Sequence, residues 1–171
     1  MKKVLVTGSG GYVGRHVVKK LLDMGCSVIA ADIRNDGVDS RAEIINRSVF
    51  EDCPDIYRQL GEPDVCIHLA WRNGFVHNAP THMEDLSGHC RFLRQMMEGG
   101  LKNLAVMGTM HEIGYWEGAI DENTPCNPLS QYGVAKNALR QSLLQTTQEK
   151  QVNLYWLRAY YILGDDMKNH S

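Results

Sequence analysis

The chain has 171 residues, of which 43% are hydrophobic and 22% charged. That suits one globular domain with a sizeable core, and it excludes the biased compositions of disordered and collagen-like chains. Eighteen Lys and Arg against 20 Asp and Glu leave a net charge of −2. The basic excess expected of a nucleic-acid or membrane-surface partner is missing, so neither partner is expected.

Met1-Lys2-Lys3 starts like the n-region of a signal peptide, but Val4-Leu5-Val6 is too short an apolar run to continue one. No window approaches the roughly 20 apolar residues of a membrane span. Cys26, Cys53, Cys66, Cys90 and Cys126 are scattered and odd in number. They suit reduced thiols in a cytoplasmic protein better than a disulfide framework or a metal site.

The elements alternate. Val4-Leu5-Val6 reads as a strand buried on both faces. Val13, Val17, Val18, Leu21 and Leu22 recur at helical spacing from Tyr12, and Gly25 closes that helix. Val28–Ala31 is a second strand ending in Asp32. Residues 35–42 form a polar loop, and Glu43–Val49 a weaker strand. Pro54–Leu60 reads as a helix, with Pro in its first turn and Gly61 beyond its end. Val65–Ala70 is a buried strand. Leu86, Cys90, Leu93 and Met97 mark a helical face stopped by Gly99-Gly100.

Leu104–Met107 is the next strand. Residues 110–129 carry Gly114, Gly118, Pro125 and Pro128 and read as a long structured loop, a kind that usually serves function. Ser130 N-caps a helix through Gln148, with Val134, Ala138, Ala135 and Leu139 packing inward. Val152–Leu157 is the last strand. This β-α alternation predicts an α/β fold: a doubly wound parallel sheet with helices on both faces.

Thr7-Gly8-Ser9-Gly10-Gly11-Tyr12-Val13-Gly14 falls where the first strand meets the first helix. Gly8 permits the turn with positive φ, Gly11 removes a Cβ from the path of a pyrophosphate, and Gly14 lets helix and sheet approach. Free N–H groups and the helix dipole then face the anion. Asp32 ends the second strand, placed to accept hydrogen bonds from adenosine ribose hydroxyls and to repel a 2′-phosphate. NAD is therefore favoured over NADP. Arg34, beyond Ile33, would attract that phosphate and acts against the preference.

Tyr132 and Lys136 are four residues apart, one turn along one helix face. A phenol is a weak base at neutral pH, and a nearby ammonium would draw its pKa downward. Lys136 could also hold a cofactor ribose hydroxyl. Thr109, after the fifth strand, lies at the carboxyl edge of the sheet, where doubly wound sheets bind ligands. Its hydroxyl could bind the substrate oxygen that Tyr132 protonates or deprotonates.

These residues resemble the extended short-chain dehydrogenase/reductases, the nucleotide-sugar epimerase/dehydratase group. Thr7–Gly14 is similar to the family's Thr-Gly-x-x-Gly-x-x-Gly, and His68-Leu69-Ala70 to its His-Leu-Ala. Asp121-Glu122-Asn123-Thr124-Pro125, Pro128 and Tyr132-Gly133-Val134-Ala135-Lys136 resemble its acidic-x-Thr-Pro, Pro, Tyr-Gly-x-Ser-Lys segment. Arg158–Gly164 resembles the loop after strand six. The resemblance implies a Rossmann fold and NAD as cofactor. It also implies a nucleotide-sugar substrate, oxidised by transient hydride transfer while Tyr132 takes the hydroxyl proton. Leu69, Ala70 and Met107 would line the cofactor, Ser48 and Val49 would lie near the adenine, and helix four and the Tyr132 helix would be candidates for a homodimer contact.

The departures are specific. Ser48 stands where the family has Asp, Ser87 where Asn is common, Tyr161 where the last loop has Asn, and Gly108 where Ser precedes the Thr. Met110-His111 replaces the Asp-Glu pair of the dehydratases, although His111 and Glu112 could serve differently. Family members continue beyond residue 171, so residues 1–171 are expected to form the cofactor-binding domain, with the substrate-binding region absent or truncated.

His77, His82, His89 and His111 match no common zinc spacing and are expected to be polar surface or loop residues, with no metal site. Trp71-Arg72-Asn73 reads either as a cover for nicotinamide or substrate or as a loop aromatic packed on the sheet end. Glu112 and Tyr115-Trp116 read as pocket-shaping or simply packed. Two alternatives remain: an NADP-linked carbonyl reductase, and a nucleotide-binding module without turnover.

Overall fold

In the computed structural model, which describes residues 1–164, six parallel strands form one sheet in the order β3-β2-β1-β4-β5-β6. The strands are β1 (Lys3–Thr7), β2 (Ser27–Asp32), β3 (Glu43–Asn46), β4 (Val65–His68), β5 (Asn103–Thr109) and β6 (Asn153–Ala159). The helices are α1 (Tyr12–Asp23), α2 (Ile56–Gln59), α3 (Thr81–Glu84), α4 (Leu86–Gly99) and α5 (Gln131–Lys150). A 3-10 turn, Met110–Glu112, follows β5. This is the doubly wound sheet expected from the alternation.

The period-two alternation of each strand divides the core in two. Leu5, Ile29, Cys66, Leu104 and Val106 pack with Phe92, Leu93 and Met96 of α4 and Leu139 and Leu143 of α5. Val4, Val6, Val28 and Ala30 face the other way, against Val18 of α1. Strand order reverses between β1 and β4, the point at which ligands enter such sheets.

Several boundaries differ from expectation. β3 ends at Asn46, not Val49, because its partner β2 ends at Asp32, which pairs with Asn46. β4 ends at His68, paired with Thr7 at the end of β1. The helix expected over Pro54–Leu60 is the single turn Ile56–Gln59. α3, and the 3-10 turn at the start of the loop 110–129, were not anticipated. Ser130 does cap α5, accepting from Gly133 N at 3.2 Å. Val134, however, is exposed, and the inward stripe of α5 runs through Ala135, Lys136, Leu139 and Leu143. Lys136 takes a core position with its ammonium on the Met107 carbonyl.

All five cysteines are free. No helix among the described residues is long and apolar enough to cross a membrane. Asn169, His170 and Ser171 lie outside the described residues.

Candidate active site

The glycine turn is shaped by close approaches. Gly8 has φ +71°, and a Cβ there would fall 2.5 Å from Ala70 N. A Cβ on Gly14 would lie 2.1 Å from Gly8 O, so α1 packs on the turn itself. Gly10, which the three-residue spacing leaves out, is required as well, since a Cβ there would meet Arg34 O at 2.0 Å. A Cβ on Gly11 would meet only Gly8 O, at 3.3 Å. That position faces the cleft, as a residue cleared for a ligand should.

Asp32 braces the turn. Its Oδ2 accepts from Gly10 N at 3.0 Å and its Oδ1 from Ile33 N at 2.7 Å. Buried Ser9 and half-buried Asn35 add a second tie: Ser9 Oγ donates to Asn35 Oδ1, and Asn35 Nδ2 donates to Ile45 O and Asn46 Oδ1.

A cleft of about 400 Å³ opens beside the turn. Of the residues expected to bind cofactor, it brings together Gly8, Gly11, Asp32, Ile33, Ser48, Val49, Leu69 and Ala70. Arg47, Phe50 and His89 also line it, and sequence reasoning did not assign them there; Trp71 and Arg72, for which a cover over nicotinamide or substrate was one reading, line it too. Tyr12 and Val13 line a different groove, with Ile162 and Leu163. Arg34 is exposed and approaches the turn through its carbonyl. Met107 contributes its carbonyl, which accepts from Lys136 Nζ at 2.7 Å.

Thr109, Tyr132 and Lys136 converge. Thr109 ends β5 and caps the 3-10 turn, accepting from His111 N at 3.3 Å. Its side chain acts on the Tyr132 phenol, favouring the ionised form. Lys136 lies one turn further along α5, its Nζ 5.9 Å from the Tyr132 ring centroid.

The electrostatics differ from expectation. Burial pushes the Tyr132 pKa up, the Thr109 side chain pulls it back, and the Glu112 charge adds to the rise. Burial also pushes Lys136 down to about 7, opposed by Glu112. The lysine is therefore a weaker lever on the phenol than a fully charged ammonium would be, because it is itself desolvated.

Glu112 is fully buried and supports this corner. Its carboxylate accepts from Thr109 N at 2.7 Å, from Trp156 Nε1 at 2.9 Å and from Arg158 Nε at 3.1 Å. Thr109 and Glu112 form a reciprocal capping box, a Thr-x-x-Glu pattern readable in the sequence. Gly108 is explained by the same cluster, since a Cβ there would lie 2.3 Å from Trp156 Nε1. Ser at that position would collide with the indole.

The histidines need correction. His82 and His89 are each 1% exposed, not surface residues, because aromatic stacking and hydrogen bonds draw them inward. His68 joins them: its Nδ1 shares a hydrogen bond with Thr7 Oγ1 at 2.8 Å and its Nε2 with His89 Nδ1 at 3.0 Å. The His77 and His111 rings meet at a tilt, centroids 4.2 Å apart, beside Tyr132. They line a second pocket of about 470 Å³ with Trp116, Leu129 and Tyr160. Among the described residues, no three His, Cys, Asp or Glu side chains are grouped to hold a metal ion.

Residues 4–171 match the sequence model of the NAD dependent epimerase/dehydratase family. The chain belongs to this family. Members similar to it include the dTDP-6-deoxy-L-talose 4-dehydrogenase (NAD(+)) of Aggregatibacter actinomycetemcomitans, 45% identical over 98% of this chain and 64% of that protein. A putative UDP-glucose 4-epimerase of Methanocaldococcus jannaschii is 29% identical over 78% of this chain and 47% of its own length. Among solved structures, the UDP-glucose 4-epimerase of Thermotoga maritima superposes with a TM-score of 0.81 at 24% identity, covering 91% of this chain and 54% of that one. That likeness establishes the fold. The chain spans about half to two thirds of the length of these family members.

Proposed function

We propose that this domain binds NAD and carries the proton-transfer groups of an enzyme that oxidises a ring hydroxyl of a nucleotide sugar. The observation that carries the reading is the convergence of Thr109, Tyr132 and Lys136 beside a glycine-walled cleft. The 45% identical relative, whose name states an NAD(+)-dependent dehydrogenase of a dTDP-sugar, supports the substrate class.

The cleft suits a dinucleotide. The Gly11 position leaves open the side on which a diphosphate would approach the N-terminus of α1. Asp32, at the end of β2, stands where a ribose diol is read, and its carboxylate disfavours a 2′-phosphate. Ser48 and Val49 would border the adenine end, Leu69 and Ala70 the central wall, and Lys136 the nicotinamide ribose. NAD, when bound, supplies the acceptor for the hydride of the carbon being oxidised.

Thr109 holds the reacting hydroxyl through its own hydroxyl, and Tyr132 takes the proton as the substrate becomes a ketone. In reverse, Tyr132 returns that proton to the keto oxygen. Its raised pKa makes the protonated phenol the resting form, the state suited to the return step. Lys136, near half-protonation at neutral pH, supplies a positive charge one turn away when protonated.

Within this class, net oxidoreduction without inversion or elimination is the finer reading. The relative's name favours it, and Met110-His111 in place of an Asp-Glu pair counts against elimination. Calorimetric titration of NADH and NADPH into the chain is the test. NADH binding at least ~10-fold tighter than NADPH is expected from the Asp32 charge. Equal or reversed affinities point to the NADP-linked reductase, and no binding of either overturns the proposal. Sugar-nucleotide turnover then separates the finer readings: a dehydrogenase reduces NAD stoichiometrically, an epimerase leaves it unchanged.

A further inference from the structure

Trp71 lies just beyond β4 and lines the cofactor cleft. Its indole is held on two elements. One face stacks on His89 of α4, with centroids 4.4 Å apart and planes within 8°. Its Nε1–H donates to Nδ1 of His82 on α3 at 3.1 Å. Because His82 accepts at Nδ1, its own proton sits on Nε2, which donates to Val76 O at 3.0 Å. His89 is tied through His68 to Thr7 of β1. A ring fixed this way is a platform and not a mobile cover.

The Lys136 ammonium rests on that platform, with Nζ 4.0 Å from the Trp71 ring centroid. One of its donors goes to Met107 O. Among the described residues no carboxylate pairs with it: Glu112 attracts it from a distance, but the Glu112 oxygens are engaged by Thr109 N, Trp156 and Arg158. The other titratable groups facing Lys136 are His89, His68 and Tyr132. Burial keeps the two imidazoles neutral and the phenol protonated. A desolvated cation without a counter-ion gains most from an aromatic face.

We propose that Trp71 is a positioning residue for Lys136: its indole face, locked by His82 and His89, holds the ammonium against the Met107 carbonyl at the edge of the cofactor cleft. The proposal rests on the reading of Lys136 as a cofactor- and proton-handling group. It adds a residue outside the Thr109, Tyr132 and Lys136 set.

The test is the protonation midpoint of Lys136, followed by NMR in lysine-labelled chain. Trp71→Leu keeps an apolar side chain and removes the π face, so the midpoint should fall by about one unit. Trp71→Phe keeps a face and should hold the midpoint to within ~0.3 unit. A Trp71→Leu midpoint that is unchanged or higher overturns the proposal. If Trp71→Leu does not fold, the wild-type chain still decides. Ring current from Trp71 should move the Lys136 ε-protons upfield of ordinary lysine, and ordinary shifts overturn the contact. NADH titration of the wild-type chain is read separately, so its failure sinks the cofactor reading without altering the Lys136 result.

Discussion

The carbonyl oxygen of His111 lies 2.2 Å from the point that a Cβ on Gly133 would occupy. The glycine inside Tyr-Gly-x-x-Lys is thus the contact through which α5 presses on the 3-10 turn, setting Tyr132 against Thr109. Gly133→Ala gains a little helix propensity and forces the two elements apart. The expected net loss is about 1–3 kcal/mol, read as a lower urea midpoint. Turnover by the protein carrying this domain should fall further than stability alone explains, because Tyr132 moves with the helix.

Glu112 holds the other side of the same corner. Glu112→Ala strips the partner from Arg158, whose side chain is only 15% exposed, and frees the backbone N–H of Thr109. The expected cost is about 3–5 kcal/mol in urea denaturation. Arg158→Met in the Glu112→Ala background should recover part of it, because the uncompensated cation is gone. No recovery would mean that the bonds to Thr109 and Trp156 carry the cost.

Stability should depend on pH through the buried imidazoles. Burial pushes His89 from 6.5 down to about 3 and His68 well below its ordinary value, so both are neutral in the fold. The unfolded chain takes up protons below about pH 6.5 that the fold refuses. Their contribution is complete above that pH and is lost as pH falls below it, toward about 3 for His89. The slope approaches about 1.4 kcal/mol per pH unit for each histidine. Urea midpoints at about pH 5 and about pH 7.5 measure it, and His89→Gln should give a shallower dependence than wild type.

Tyr132→Phe removes one hydroxyl and leaves the cleft walls intact. NADH affinity, measured by calorimetry, should change less than threefold or so, since the phenol is assigned to proton transfer. Sugar-nucleotide turnover should drop by about 10²–10⁴-fold, the range for a lost general acid–base group. A variant that loses NADH binding instead would make Tyr132 part of the cofactor's support.

The sheet, the glycine turn and the Tyr132-Lys136 pair were legible because each depends on local sequence: short apolar runs in strands, three residues between glycines, four along a helix. What was not legible depends on contacts across the fold. Gly10 carries no signal until the Arg34 carbonyl is seen above it. Gly108 looked like an unexplained departure until the Glu112–Trp156 bond filled its place. His82 and His89 read as surface polar groups because nothing in their spacing shows that Trp71 lies between them. The Thr109-x-x-Glu112 box was readable, but it was hidden inside a stretch taken as loop.

The position of β1 also governs when the cleft can exist. Thr7 bonds His68, 61 residues later, and Gly8 is walled in by Leu69 and Ala70. On a ribosome adding about 5–20 residues per second, the glycine turn is translated seconds before the strand that completes its far wall. Until β4 emerges, β1 has one edge unpaired and the turn lacks half its surroundings. The part of the site encoded first is therefore finished late, and the nascent chain carries an open parallel edge through that interval.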